Sequence, residues 1–369
     1  MNESLAAMNK DLLSYKLRFI TVGLLVAYTF LHIKLTGRYI DATFQQLFEF
    51  SARLPFGQRL LIPALARSLA FFIPLQVNEI FLLIELIAIS LSYLVLKQLM
   101  REEFEPLQAK LLSWLFILLL PLVTVVNYRF SITGEATVYY PYDSASLFFM
   151  LTGLLLCLRT QWLYFIPLVF IATFNRESSF LLVLLIPATH WQRFSSIIKP
   201  LILSILAYVI ARLIILWLVQ GFPGDMIEFY YRASHYTHYE VNLAWLFSKE
   251  HVLLFVFCLA GLPLFWFAFY DFIPLQYRPL RYVALGYFLM LLLVGNFMEA
   301  RIFIEIVALL YLPVCAAVSR WLKQRAPFQS NSTGVLHYID RYFVVAVLAL
   351  VILLHTVINP VILWLIPPP

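Results

Sequence analysis

Long apolar runs separated by short polar segments constrain this 369-residue chain more than any other feature. Backbone that crosses hydrocarbon must satisfy its own N–H and C=O groups, and a run near 20 residues matches one helical span. Such runs lie at about 17–35, 79–98, 111–127, 143–158, 162–174, 179–190, 197–219, 249–270, 281–297, 302–321 and 341–360. Composition agrees, since only 12% of residues are charged, about half the ~25% of a soluble domain. The expectation is an all-α fold, a polytopic transmembrane helical bundle forming a single membrane domain over 1–369, with about 11 membrane segments.

Two stretches depart from full spans. The segment 162–190 is either one tilted helix or two short helices hinged at Asn175-Arg176-Glu177. Each half, at roughly 12 residues, is too short to cross alone, which favours a re-entrant or packed-interior pair. The piece 59–74, broken by Pro63, Arg67 and Pro74, reads as a re-entrant or interfacial helix.

Charge counting orients the chain. With residues 1–16 inside and 162–190 a hairpin, inner segments hold 15 Lys/Arg against 7 Asp/Glu, and outer segments 10 against 13. Basic residues collect on the cytoplasmic side of membrane proteins, so this arrangement is favoured over a single 162–190 helix, which inverts everything downstream. The run 17–35 then acts as a retained signal anchor. Outer loops fall at 36–78, 128–142, 220–248 and 295–301, with a cytoplasmic loop at 322–340. The +6 net charge fits basic cytoplasmic loops rather than nucleic-acid binding. Cys157, Cys258 and Cys315 sit in apolar runs without partners at ligand spacing, and Asn331-Ser332-Thr333, on the inner side, is not expected to be glycosylated.

The exceptions to apolarity mark the site. Asp41, Arg59, Asp143, Arg176, Glu177, Glu299, Arg301 and Glu305 all fall at or just inside the outer ends of the runs. Charges there usually face an interior cavity or pathway. Asp41 follows the first span and is placed to serve as a general base, or to pair as an ordinary loop carboxylate with Arg38. Arg59 offers a planar fork that matches phosphate oxygens, or snorkels to the interface. Asp143, after Tyr139-Tyr140-Pro141-Tyr142, either binds substrate directly or caps the following helix at its positive end, and the tyrosines suit an interfacial belt equally well. Arg176 and Glu177 either bind ligand or form an internal ion pair fixing the hinge. Arg301 and Glu305, four apart, share a helix face and can pair with each other; with Glu299 they border an inward polar surface. His235 and His238 with Glu240 have the spacing of a weak divalent-metal pair, though a Tyr-rich surface amphipathic helix explains them better. The sequence requires no cofactor.

The combination of Pro55-Phe56-Gly57-Gln58-Arg59-Leu60-Leu61-Ile62-Pro63, Tyr142-Asp143, Asn175-Arg176-Glu177-Ser178 and Glu299-x-Arg301-Ile302-Phe303-x-Glu305 resembles bacterial members of the GT-C glycosyltransferase superfamily. The resemblance covers most of the chain by topology and about 25 residues by motif. It implies a helical bundle in the bacterial inner membrane, a polyprenyl-phosphate-linked sugar as donor, and transfer at the periplasmic face. It also implies that Asp41 is the catalytic base, as the acidic residue of the first outer loop; many members carry two acids there. The arginines would hold the donor phosphate, with Glu177, Glu299 and Glu305 orienting them or binding sugar hydroxyls. The alternatives are a transporter or flippase for a lipid-linked saccharide, which needs access from both faces and finds only Arg212 inside a span, and an inactive relative. No internal repeat of the kind common in transporters is visible.

Overall fold

A computed structural model describes residues 2–128, 137–231, 235–247, 256–328, 338 and 341–366. It is mostly helical, with six helical segments long and apolar enough to cross a membrane: Leu13–Leu35, Val77–Met100, Pro106–Thr124, Ser195–Leu218, Leu275–Val294 and Ala300–Leu322. These establish a multi-pass, all-α membrane architecture. Shorter apolar helices lie among them.

The first half contains α1 (Asn2–Leu35), β1 (Gly37–Arg38), α2 (Phe44–Phe48), α3 (Leu61–Phe72), α4 (Val77–Met100) and α5 (Pro106–Thr124). Local chemistry sets several boundaries. Thr43 and Gln46 exchange hydrogen bonds in a capping box that opens α2, and Gln76 and Glu79 do the same for α4. Pro106 starts α5, where its missing N–H removes nothing from the helix.

Then follow β2 (Val138–Tyr139), α6 (Asp143–Leu158), α7 (Trp162–Asn175), α8 (Phe180–His190) and α9 (Phe194–Leu218). The two-residue strands pair in parallel, Gly37 with Val138 and Arg38 with Tyr139, and so bring the loop after α1 beside the entrance to α6. The stretch 162–190 is a hairpin of two short helices. Arg176 is extended between them (φ −160°, ψ 145°). At the far end the Trp162 and His190 rings lie 5.5 Å apart, and Cys157 Sγ meets Thr189 Oγ1 at 3.1 Å. The chain therefore rises along α7, turns at Arg176 and returns along α8. Non-helical backbone at membrane depth must be buried in protein, and Asn175 at the turn is 1% exposed.

The remaining helices are α10 (His238–Leu246), α11 (Leu262–Ala268), α12 (Leu280–Val294), α13 (Ile304–Leu322), α14 (Phe343–Leu353) and α15 (His355–Leu365). Two expected spans are altered here. Of 249–270, residues 249–255 lie outside the described ones, and the rest turns at Gly261, in the left-handed region (φ +71°), before the seven-residue α11. The run 341–360 is two helices meeting at Leu354. The second half supplies Asn359, whose Oδ1 accepts from Thr237 Oγ1 at 2.7 Å and docks α15 beside α10.

Burial sorts the helices into inner and outer. The apolar core of Ala300–Leu322 is 83% buried, whereas those of Ser195–Leu218 and Leu13–Leu35 are 17% and 22% buried. A helix apolar on all sides and exposed on most of them belongs against lipid. Helices α6 and α13 pack on each other at the centre, with α4, α5, α8 and α12 around them. Gly153 lets α6 approach α8: a Cβ there would lie 2.3 Å from Leu182 Cδ2.

In a cysteine-free background, Thr160→Cys and Gln192→Cys should react with a membrane-impermeant maleimide from one side, and Gly221→Cys from the other. Labelling of Thr160→Cys and Gln192→Cys from opposite sides would refute the hairpin.

Candidate functional site

Seven of the eight charged residues singled out in the sequence meet at one end of the bundle, five of them in a buried ion network and two in a pair beside it. Asp143, first residue of α6, lies at the centre. Its Oδ1 accepts from Arg176 Nη1 at 3.2 Å and its Oδ2 from Arg301 Nη1 at 3.1 Å. Arg176 Nη1 also reaches Glu305 Oε1 at 3.2 Å, which accepts from Ser178 Oγ at 2.9 Å. Arg301 pairs in addition with Glu299. Alongside, Arg59 grips Glu177 with two bonds, Nε to Oε2 at 3.2 Å and Nη2 to Oε1 at 2.6 Å.

The fold explains this convergence. The first turns of α6 and α13 and the 3-10 turn Glu177–Ser179 leading into α8 all lie at the same end of the bundle, and each carries an acid: Asp143, Glu305 and Glu177. Unsatisfied N–H groups make a helix start positive, which favours carboxylates there. Asn175 secures the turn by donating to Tyr142 O (3.0 Å) and Ser146 Oγ (2.9 Å) on α6.

Aromatic rings line the cations. Phe56, Tyr140 and Tyr142 stack in sequence, with centroids 5.2 and 5.3 Å apart. The Arg301 guanidinium lies 3.9 Å from the Tyr140 centroid and that of Arg59 lies 4.4 Å from the Tyr142 centroid. Guanidinium–ring contacts strengthen as water is excluded.

Several expectations need correcting. Asp143 does not cap its helix; its carboxylate is consumed by two arginines. Arg301 and Glu305 do not pair with each other, because Arg301 lies in a 3-10 turn ahead of α13. Tyr139, Tyr140 and Tyr142 are at most 2% exposed, so they are core residues rather than an interfacial belt. The charges do not line an open cavity either: the void beside Asn175, Arg176 and Glu305 holds about 10 Å³, roughly one water. The network's accessible edge is Glu177, whose side chain is 37% exposed. Arg59 is buried against Glu177 and does not snorkel.

Asp41 stands outside this network. Among the described residues Asp41 pairs with Arg53, at 4.0 Å, rather than with Arg38, and Arg53 continues to Glu228 at 3.4 Å. Arg38 instead covers the Phe44 ring. The Asp41 segment still borders the site, because the Tyr39 ring packs on Phe56 and Tyr140. Arg212 reaches Gln58 Oε1 at 3.0 Å and so belongs to this same end of the bundle. His235 is exposed while His238 is buried in α10 with Tyr239, Asn242 and Trp245, so this helix is packed, not a surface amphipathic one. Among the described residues no three His, Cys, Asp or Glu side chains are grouped to hold a metal. The 331–333 sequon lies outside the described residues.

One cluster escaped the sequence reading. Glu85, within α4, accepts from His32 Nδ1 (2.8 Å), Ser144 Oγ (2.6 Å) and the Tyr139 hydroxyl (2.9 Å), and both Glu85 and His32 are fully buried. It ties α1, α4 and the 139–144 segment together one residue from Asp143. The available signal was a carboxylate about two turns inside an apolar span, which is expensive unless paired. Compared with known protein families, curated proteins and solved structures, the chain matches none.

Asp143→Asn should lower folding stability by about 3–5 kcal/mol, the usual penalty for leaving buried charges uncompensated. The unfolding midpoint of the detergent-solubilised protein measures this, and an unchanged midpoint contradicts the central role of Asp143. Burial pushes His238 down to about 4 from 6.5, so the unfolded chain binds the extra proton between those values. Stability should therefore decline as pH falls from about 6.5 to about 4, and His238→Phe should remove that component of the pH profile.

Proposed function

We propose that this chain is a GT-C-type membrane glycosyltransferase that moves a sugar from a polyprenyl-phosphate-linked donor to an acceptor at the periplasmic face of the bacterial inner membrane. The observation that carries the reading is the Arg59–Glu177 pair at the open edge of the network. A buried arginine holds a partly exposed carboxylate through two parallel bonds. That fork geometry fits two phosphate oxygens equally well. The donor phosphate displaces Glu177 from Arg59, and Arg176 and Arg301 lie behind it in the same cluster.

The chemistry then divides between two groups. The leaving group is a lipid phosphate, so its developing charge is stabilised by fixed guanidinium groups. The paired carboxylates Asp143, Glu299 and Glu305 hold those groups in place without any change of rotamer. The half-buried Phe56 ring, at the end of its stack with Tyr140 and Tyr142, offers the sugar an apolar contact. Asp41, at the rim and 19% exposed, accepts the proton of the acceptor hydroxyl as that oxygen attacks the anomeric carbon.

Transport of a lipid-linked saccharide is the second reading. It requires a polar passage between the two ends of the bundle. Along α8 the segment below the network is Leu181, Leu182, Leu185 and Ile186, each 0% exposed. This apolar plug favours the enzyme.

Asp41→Asn should abolish sugar transfer from a polyprenyl-phosphate donor in proteoliposomes while leaving insertion and unfolding midpoint unchanged. Full activity in that variant would remove Asp41 as the base. Arg59→Lys should retain folding but raise the donor KM, since an ammonium cannot make the two-pronged contact.

A further inference from the structure

At the opposite end of the bundle from the ion network lies a cavity of about 700 Å³. It opens between the end of α8, the start of α12 and the end of α13. Its cationic wall comprises Arg320, Lys323 and Arg325, with His190 across from them. Lys323 and Arg325 have no side-chain partner among the described residues. Arg320 spends only Nε, on Ala326 O at 2.9 Å, and its guanidinium lies 3.9 Å from the Phe328 centroid.

Among the described residues the neighbouring acids do not compensate these cations. Glu103, in the cavity wall, already accepts from the Tyr277 hydroxyl at 2.8 Å and from Gln276 Nε2 at 3.3 Å. Asp271, whose carbonyl accepts from Phe328 N, gives its carboxylate to Arg341 at 3.1 Å. Basic residues at a helix C-terminus oppose the macrodipole, and basic loops set membrane orientation. Neither effect requires a concave site, and neither explains the rim. Trp191 (68% exposed) and Leu275 (52%) in the cavity wall give it an exposed apolar rim, and Trp321 (49%) and Leu322 (66%) lie exposed on the last turn of α13 beside Arg320 and Lys323. Exposed tryptophans beside cations mark the depth of lipid headgroups.

We propose that this cavity binds the phosphate headgroup of an anionic phospholipid, with the acyl chains lying over the exposed Trp191 and Leu275 surface. Basic pockets between spans at a membrane surface take such headgroups. The site is separate from the proposed donor site and independent of transfer activity, because the plug of Leu181, Leu182, Leu185 and Ile186 lies between them.

Native mass spectrometry of the purified full chain, equilibrated with mixed phosphatidylglycerol and phosphatidylcholine, tests this. The expected result is one retained phosphatidylglycerol per chain, preferred by about tenfold or more. Lys323→Gln combined with Arg325→Gln should erase the preference while the unfolding midpoint in phosphatidylcholine micelles stays unchanged. Equal retention of both lipids, or undiminished preference in the double variant, overturns the proposal. Displacement of the lipid by millimolar glycerol phosphate would assign the cavity to a soluble phosphate compound and overturn the lipid assignment. None of these readings uses a sugar donor, so they stand or fall apart from the glycosyltransferase reading.

Discussion

The Asp143 carboxylate, shared between Arg176 and Arg301, is the interaction on which the upper half of this bundle depends. A fully buried carboxylate that accepts from two guanidinium groups leaves none of the three free to relax into water. Arg176 can reach it only because the helix is broken there, and Arg301 only because a 3-10 turn delays the start of α13. Irregular backbone, ordinarily excluded from hydrocarbon, is held in place by the charges it presents. The same residues thus account for a structural irregularity and for the grouping of two arginines.

Around this centre the cluster is organised in layers of decreasing burial. Asp143 and Glu305 are at 0% exposure, Arg176, Arg301 and Arg59 between 5% and 8%, and the Glu177 side chain reaches 37%. The most accessible member is therefore the outermost carboxylate, Glu177. The His32–Glu85 pair forms a second buried polar anchor beneath Asp143. Through Ser144 and Tyr139 it fixes the segment that carries both Asp143 and the aromatic stack.

Much of the bundle could be read from the residues. Apolar runs located α4, α5, α6, α9 and α13 closely, and the hairpin at 162–190 followed from two halves too short to span. The failures share a cause. Partner choice among charges is a three-dimensional matter: Arg301 has Glu305 four residues away yet bonds Asp143, 158 positions distant. Likewise Asp41 has Arg38 nearby and pairs with Arg53. The break at Leu354 and the short α11 escaped notice because hydropathy does not distinguish a continuous helix from two apolar pieces joined by a turn.

Apolar run length and charge placement alone determined that the chain is a helical membrane bundle with charges gathered at the helix ends, because hydrocarbon admits few backbone solutions and penalises unpaired charge. The tertiary structure decided which charges neutralise which, that Asp41 lies apart from the arginine cluster, that Glu85 is paired, and that a basic cavity opens at the far end. Those outcomes rest on contacts between residues far apart in the chain. Side-chain identity sets how strong each contact is, but only the packing of α6, α8 and α13 brings the partners within reach.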